Sequence, residues 1–253
     1  MNRQADISAC LFFIFYGGDF IFKIKIADLV IGIENKYPYV KDFCQNYLVD
    51  CEYEDMRVSA PDSKIKKEYE NGGGSFSEGY CESICVYREI SKKMIDFDGF
   101  LFHAAVVAVD GKAYAFAAKS GTGKSTHTNL WLRHFGERAV IVNGDKPIFR
   151  CIENEFVAYG TPWCGKERLE TNMSAPVKAI CFIERGTENH IVRADSSEIC
   201  RRIFNQFIMP DDPLKRVRFL GIIEKMIKQV PVYVLNCNIS DDAVVTAYNM
   251  MAE

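Results

Sequence analysis

The feature that most constrains this chain is a glycine-rich segment between two regular elements. An apolar run at residues 113–118 leads into Ser120-Gly-Thr-Gly-Lys-Ser-Thr126, and a segment with helical character follows up to about Phe135. This order predicts a buried strand, a tight turn and a helix. Backbone N–H groups of the turn and the positive end of the helix dipole would then face one point. The sequence therefore predicts an α/β fold built around an anion-binding turn.

Two adjacent side chains in this turn suit a nucleotide triphosphate. Lys124 offers a mobile positive charge for the β- and γ-phosphates, and the Ser125 hydroxyl offers one oxygen ligand to Mg²⁺. The alternative is a strand-to-helix turn that carries Lys and Ser by chance. We expect phosphate binding by a set of consecutive residues, namely Ser120, Gly121, Thr122, Gly123, Lys124, Ser125 and Thr126.

One position departs from the usual G-x-x-x-x-G-K-[ST] pattern. Ala118 stands where that pattern has its first glycine. If the backbone needs a positive φ there, alanine costs about 1 kcal/mol of strain. If it does not, Ala118 only narrows the turn. In both cases we expect nucleotide binding to survive.

Two further side chains are candidates for chemistry beside this turn. A second apolar strand from residue 138 ends at Asp145, and a strand–helix–strand unit would bring that carboxylate next to the turn, where it can hold Mg²⁺. A strand-ending Asp is also common in turns without a function. His103 lies inside the apolar run at residues 100–109, where it is either a core residue or a catalytic residue.

A loop at residues 160–168 combines two glycines, a proline and three charges. This mixture is typical of a loop that meets a polar ligand, and Lys166 and Arg168 are candidates for holding an anionic substrate or the transferred phosphate. The alternative is a solvated connection in which Trp163 packs as an aromatic plug. Composition alone leaves both interpretations open.

The composition argues against several classes of partner. The chain has 253 residues, is 48% hydrophobic and carries a net charge of −3, so we expect neither nucleic-acid nor membrane binding. Its ten cysteines are scattered through apolar segments, which indicates reduced thiols in the cytoplasm. Cys81 and Cys85 could form a metal pair, but their surroundings favour core packing. The apolar run at residues 11–16 is too short for a bilayer span, so we expect neither secretion nor an anchor.

The pattern along the chain predicts two regions that meet at Asn71-Gly-Gly-Gly-Ser75, a small α+β region at 1–75 and a core at 76–253. A hairpin is predicted around residues 17–19, and a second one at Asp110-Gly111. Other elements follow from hydrophobic periodicity. The predicted helices are 37–48, 61–69, 81–95, 198–208, 214–228 and a last one from 241, and the predicted strands are 50–58, 100–109, 148–152, 156–159, 177–184 and 230–235.

Several stretches in combination resemble the HPr kinase-like group of the phosphoenolpyruvate carboxykinase-type P-loop fold. They are Leu101-Phe-His-Ala-Ala105, Ser120-Gly-Thr-Gly-Lys-Ser-Thr-His127, Asn143-Gly-Asp-Lys-Pro147 and Tyr159-Gly-Thr-Pro-Trp-Cys-Gly-Lys166. The resemblance covers residue 80 to the end and is closest to HPr kinase-related proteins. It implies a mixed α/β core that binds ATP and Mg²⁺ and transfers the γ-phosphoryl group to a hydroxyl.

The resemblance also implies roles for individual residues. Gly121, Gly123 and Lys124 would bind phosphates, Ser125 and Asp145 would hold the metal, and His103 becomes an active-site residue. Similar proteins usually carry two adjacent acids at the end of the second strand, and here the first of these is Gly144. Either Asp145 serves as both metal ligand and base, or His103 takes the proton, or catalysis is impaired.

We therefore expect a cytoplasmic kinase, an ATP-dependent phosphotransferase acting on an unidentified small molecule or protein. The alternative is a nucleotide-binding regulatory or scaffold protein with weakened catalysis, motivated by Ala118 and Gly144. A carboxykinase is disfavoured because the chain is short and shows no second metal set. ATP rather than GTP follows only from the resemblance, and homo-oligomerisation is left open.

Overall fold

The computed structural model describes residues 20–119 and 121–253. Strands β1 to β12 are Phe20–Ile26, Leu29–Asn35, Met56–Ser59, Gly99–Leu101, Ala105–Val109, Lys112–Ala117, Ala139–Asn143, Ile148–Ile152, Glu155–Tyr159, Ser174–Arg185, His190–Arg193 and Val232–Cys237. Helices α1 to α7 are Pro38–Phe43, Asp62–Asn71, Glu78–Met94, Lys124–Phe135, Ser196–Ile203, Pro213–Gln229 and Asp241–Met251. The chain thus has the mixed α/β architecture that the sequence predicts.

A small sheet forms the N-terminal part of the described chain. Strand β1 pairs antiparallel with β2, and β2 pairs in parallel with β3. The turn between β1 and β2 consists of Ala27 and Asp28, both with left-handed backbone (φ 55° and 59°). The hairpin predicted at residues 17–19 lies outside the described residues. Strand β2 was not predicted, because an alanine is an uncommon marker of a left-handed turn.

The larger sheet is mixed and curls around a long central strand. Its order is β4-β8-β9-β10-β6-β5-β7, and β12 also pairs with β10 and carries β11 at its outer side. The first residues of β10 pair antiparallel with β9, while its later residues lie parallel to β6 and β12. One strand thereby joins an antiparallel part of the sheet to a mixed part that contains the two parallel pairings.

The phosphate-loop unit sits in the mixed part of this sheet. Strands β5 and β6 form the predicted hairpin around Asp110 and Gly111, whose φ values are 50° and 77°. Strand β7 pairs antiparallel with the other side of β5, so β6 and β7 run in the same direction. Helix α4 connects them and packs against β5, β6 and β7. This is the strand–helix–strand unit that the sequence predicts.

The run at residues 100–109 is not one strand, contrary to the sequence prediction. It divides into β4, which pairs with β8, and β5, which pairs with β6 and β7. At the break, Phe102 N–H donates to Pro147 O (3.1 Å) and His103 N–H donates to Gln206 O (2.9 Å). In a continuous strand these two N–H groups would bond to neighbouring strands. Because they bond to Pro147 and Gln206 instead, strand pairing is interrupted here. His103 consequently lies at a junction between strands.

Helices cover both faces of this sheet and the small sheet. Helix α4 packs on α7, and Trp131 is the largest fully buried side chain there. Helix α3 packs against the small sheet in a core that also contains Leu101, Ile148, Tyr159 and Trp163. Cys81 and Cys85 are buried in this core, as the core-packing interpretation expects. The nine cysteines that the structure describes are all free.

Residues 20–119 and 121–253 contain no helix that is long and apolar enough to cross a membrane.

Candidate functional site

The loop between β6 and α4 has the backbone of an anion cradle. Gly121 (φ 77°) and Gly123 (φ 117°) are both left-handed, and a Cβ built on either would meet nothing within 4 Å. Glycine is therefore required for backbone conformation rather than for space. Helix α4 begins at Lys124 with Gly123 as its N-cap and without a capping side chain. Its first N–H groups face the loop, as phosphate binding requires. Ser120 lies outside the described residues.

Ala118 fits the loop without strain. It is buried and is not among the described non-glycine residues with positive φ. The strain of about 1 kcal/mol that alanine would bear in a left-handed position does not arise. On the other side of the loop, Arg185 at the end of β10 donates to Gly121 O (2.6 Å) and Thr122 O (3.1 Å). Two carbonyl groups thus hold the loop to the central strand, and Thr122 N–H donates to Lys119 O (3.1 Å) within the loop.

Three of the predicted catalytic side chains converge at one point. His103 Nε2 lies 3.0 Å from Asp145 Oδ1 and 3.1 Å from Lys124 Nζ. Lys124 Nζ also donates to Ala118 O at 3.3 Å, so it lies across the mouth of the loop. These residues come from the break after β4, the start of α4 and the end of β7. His103 precedes Lys124 by 21 positions and Asp145 follows it by 21 positions, and the fold brings the three side chains together.

The imidazole can make only one of these two contacts as a hydrogen bond at a time. With a proton on Nε2 it donates to Asp145, and without that proton it accepts from Lys124. His103 therefore stands between an acid and an amine, at the position where a proton can be taken up or passed on. This geometry favours a role in chemistry over a role as a core histidine.

Burial and charge act on both ends of this cluster. Burial raises the pKa of Asp145, but hydrogen bonds and positive charge from His103 and Lys146 outweigh burial, so its pKa lies well below the ordinary value. Asp145 is therefore ionised at neutral pH. Burial lowers the pKa of the Lys124 amine, and the negative charge of Asp145 only partly offsets this effect. A charged amine that is partly removed from water interacts more strongly with an incoming phosphate than an exposed one, because the local dielectric constant is lower.

Two site residues were missed by sequence reasoning. Asn143 is fully buried, and its Oδ1 accepts from the N–H groups of Asp145 (2.9 Å) and Lys146 (2.6 Å). Its Nδ2 donates to the backbone oxygen and the hydroxyl of Thr161 (2.9 and 3.1 Å). Lys146 Nζ contacts Asp145 Oδ2 at 2.5 Å. An Asn two residues before an Asp is a signal for such a side-chain-stabilised turn, and it could have been read from the sequence.

Gly144 has a steric reason to lack a side chain. A Cβ at this position would lie 2.8 Å from Cys164 O and 3.2 Å from Leu169 O, and Gly144 N–H donates to Leu169 O (2.9 Å). Backbone atoms cannot move aside as a flexible side chain can. The returning loop thus occupies the space that an acidic side chain would need.

The loop at residues 160–168 reaches the site through its backbone. A Cβ on Gly165 would lie 3.2 Å from the Cβ of Asp145. Lys166 and Arg168, however, are exposed, and within the described residues the hydrogen bonds and ion pairs of His103, Lys124 and Asp145 involve neither of them. The Trp163 side chain is buried and donates to Ser83 O (3.1 Å), as the aromatic-plug interpretation expects.

The two predicted metal ligands come from different elements on either side of the site. Ser125 is in the first turn of α4, and Asp145 follows β7. The described residues contain no group of three or more His, Cys, Asp or Glu side chains that could hold a metal ion. Mg²⁺ in phosphoryl transfer takes few protein ligands and completes its shell with phosphate oxygens and water, and this donor set fits that use.

An open cleft of about 1030 Å³ adjoins the loop. His103, Ala118, Gly121 and Thr122 line one side of it, and Arg185 and the arginines of α5 line the other. Arg202 is paired with Glu184 (2.6 Å). The volume is at the upper end of the range for small-molecule sites and accommodates a nucleotide.

Comparison with known proteins gave one family and a distant structural likeness. A family model described as SynChlorMet cassette protein ScmC matches residues 81–243, a span that contains His103, Lys124 and Asp145. The solved HPr(Ser) kinase/phosphatase from Coxiella burnetii is 13% identical, with 60% of this chain and 96% of that chain covered and a TM-score of 0.32. No curated protein matches the chain.

Proposed function

The chain belongs to the family described as SynChlorMet cassette protein ScmC, and we propose that it is an ATP- and Mg²⁺-dependent phosphotransferase. It would move the γ-phosphoryl group to a hydroxyl of an acceptor molecule. One observation carries this proposal: His103 Nε2 lies within 3.1 Å of both Lys124 Nζ and Asp145 Oδ1 at the mouth of an uncapped helix. An amine, an imidazole and a carboxylate at an anion cradle form the set that phosphoryl transfer needs.

The loop and α4 would bind the phosphates of the nucleotide. Gly121 and Gly123 supply left-handed backbone, Lys124 supplies the charge, and Ser120, Thr122 and Thr126 belong to the same proposed set. Ser125 and Asp145 would hold Mg²⁺, which neutralises phosphate charge when bound. Lys146 Nζ contacts Asp145 Oδ2 at 2.5 Å, and an ionised carboxylate keeps further lone pairs that a metal can use.

The proton of the acceptor hydroxyl would go to His103 or to Asp145. Asp145 is held ionised and His103 lies 3.0 Å from it, so the pair can accept a proton together. A positioned base contributes typically 10²–10⁴-fold to such a step. Because Gly144 leaves no room for a second acid, the proton path depends on this pair.

Other parts of the proposal follow from the resemblance to the HPr kinase-like group. The core at residues 76–253 would be the phosphoenolpyruvate carboxykinase-type P-loop fold, with residues 1–75 as an α+β addition. Lys166 and Arg168 would assist an anionic acceptor by moving toward the site. The protein would act in the cytoplasm without nucleic acid or membrane, alone or as a homo-oligomer.

The test is transfer of labelled γ-phosphate from Mg-ATP into a fractionated bacterial extract. Wild type should label one fraction, and Lys124→Ala should abolish the label while the fold stays intact by circular dichroism. Lys112→Ala is the matched control, because Lys112 is exposed at the opposite end of β6. Wild-type turnover in Lys124→Ala would overturn the proposal.

A second candidate is a nucleotide-binding regulatory protein with little or no catalysis. The observation in its favour is the steric exclusion of an acid at Gly144 by Cys164 O and Leu169 O. It predicts ATP binding that Lys124→Ala removes, with no labelled fraction from wild type. Label in any fraction rules it out.

A further inference from the structure

A second cavity of about 500 Å³ lies on the far side of His103 from the phosphate loop. His103, Asn205 and Gln206 line both this cavity and the cleft beside the loop. Lys146, which contacts Asp145, also lines it. A molecule in this second cavity would therefore face the same imidazole as a phosphate held at Lys124. The two spaces meet at the residues proposed to move the proton.

The wall of the second cavity is mainly aromatic and aliphatic. It includes Phe76, Tyr80, Ile84, Tyr87, Leu101 and Phe207. Phe76 and Tyr80 contact each other with ring centroids 5.0 Å apart, and Phe76 is 50% exposed at the edge. Such walls favour an occupant with a flat apolar body.

The charges at this cavity are already matched within the protein. Arg88 makes a two-point ion pair with Glu68 (2.5 and 3.1 Å), and Lys146 is paired with Asp145. No unmatched positive charge lines the cavity among the described residues, so an anionic occupant gains little here. The electrostatics favour a neutral molecule.

We propose that the second cavity is the acceptor site of the phosphotransferase and takes a small, neutral, aromatic alcohol. The assignment rests on the proposed phosphotransferase function and names its substrate class. The aromatic body lies against Phe76 and Tyr80, the two rings at the edge of the cavity. The reacting hydroxyl points to His103.

The transfer step balances with these groups. The acceptor oxygen bonds to the γ-phosphorus, and the bond from that phosphorus to the β–γ bridging oxygen breaks. ADP leaves with the electron pair of the broken bond. The proton of the acceptor hydroxyl passes to the His103–Asp145 pair, and the products are ADP and an aryl-alkyl phosphate monoester.

The probes are tyrosol and 2-phenylethanol, with glycerol and the peptide Ala-Ser-Ala as acceptors of other classes. Binding is measured without nucleotide by ligand-observed NMR, and transfer is measured with labelled Mg-ATP. Phe76→Ala should weaken tyrosol binding about fivefold through lost ring contact. Tyr53→Ala, which removes a 64% exposed tyrosine outside both cavities, should leave it unchanged.

Tyr80→Ala removes the second ring at the edge of the cavity and should also weaken tyrosol binding about fivefold. Circular dichroism checks that both variants remain folded. Unchanged tyrosol binding in both Phe76→Ala and Tyr80→Ala overturns the proposal, as does the absence of binding in wild type.

The outcomes separate the acceptor site from the proposed function. Label in tyrosol that falls in Phe76→Ala supports both. Label only in glycerol or in Ala-Ser-Ala overturns the aromatic acceptor and leaves the phosphotransferase standing. Tyrosol binding with the expected variant pattern, but without nucleotide binding in wild type, overturns the phosphotransferase and with it the assignment of this cavity as an acceptor site.

Discussion

The two arms of the site are built in different ways. The first arm is the loop between β6 and α4, whose conformation is set by glycines and by the start of a helix within the same segment. The second arm follows β7, and its conformation is set by Asn143 and by a loop that returns some 20 residues later. Local sequence therefore determines most of the first arm, to which Arg185 adds a tertiary anchor, and tertiary contacts determine the second. The two arms should respond differently to substitution and to pH.

The largest effect is expected where the second arm depends on one side chain. Asn143→Ala removes hydrogen bonds to Thr161, Asp145 and Lys146, so it should lower the free energy of unfolding by about 2–4 kcal/mol and phosphoryl transfer by at least about 10²-fold. Urea denaturation and the labelling assay measure the two effects. The control Asn172→Ala removes one exposed hydrogen bond, which the side-chain amide of Asn172 donates to Asn46 O. A stable, active Asn143→Ala would show that the second arm is determined locally after all.

The next effect distinguishes the two arms by the pH dependence of the free energy of unfolding. His127 on α4 is buried, and burial lowers its pKa from 6.5 to about 4. Between these two pH values the unfolded chain binds a proton at this residue and the folded protein does not. Stability from this residue is complete above pH 6.5 and is lost as the pH falls toward 4, by roughly 3 kcal/mol. Asp145 on the second arm has a lowered pKa, so its contribution is lost only below its ordinary value of 3.8.

Urea denaturation between pH 7 and 4 measures the difference. His127→Gln keeps an acceptor for Trp131 Nε1, which lies 3.0 Å from His127 Nε2, and it should flatten the pH dependence in this window. His134→Gln, an exposed histidine near the end of the same helix, should leave the slope as it is. If His127→Gln keeps the wild-type pH dependence of the free energy of unfolding, another residue causes the loss of stability in acid.

A smaller effect compares one glycine from each arm. Gly144→Ala places a Cβ 2.8 Å from Cys164 O and should cost roughly 1–3 kcal/mol by overpacking. Gly121→Ala meets open space and should cost about 1 kcal/mol through its positive φ alone. Equilibrium unfolding gives both values. A larger cost at Gly121 than at Gly144 would contradict the steric account of the second arm.

The smallest effect on stability is expected at Lys124, where stability and activity change in opposite directions. Burial lowers the pKa of Lys124, so its charged form is less favourable in the folded protein than in the unfolded chain. Lys124→Met should raise the melting temperature slightly while it abolishes transfer. A lower melting temperature would show that the amine stabilises the cluster instead.

Much of the first arm could be predicted from the sequence. The apolar run, the Asp110-Gly111 turn and the helix that ends at Phe135 are all local signals, and the structure confirms each of them. The break at His103 could not be predicted, because residues 100–109 are almost uniformly apolar and the bonds that divide them come from Pro147 and Gln206. Gly144 was recognised as a departure from a pattern, but its cause lies in two distant carbonyl groups. The roles of the site residues remain predictions.

The crowding at Gly144 links substitutions at two separate places in the chain. An acidic side chain there, on this backbone, meets Cys164 O and Leu169 O, so an acid at this position requires a different path of the returning loop. We expect a relative that carries an acid at the position of Gly144 to place this loop farther away. The length of the segment from Gly160 to Leu169 then becomes a marker of which arrangement a relative has.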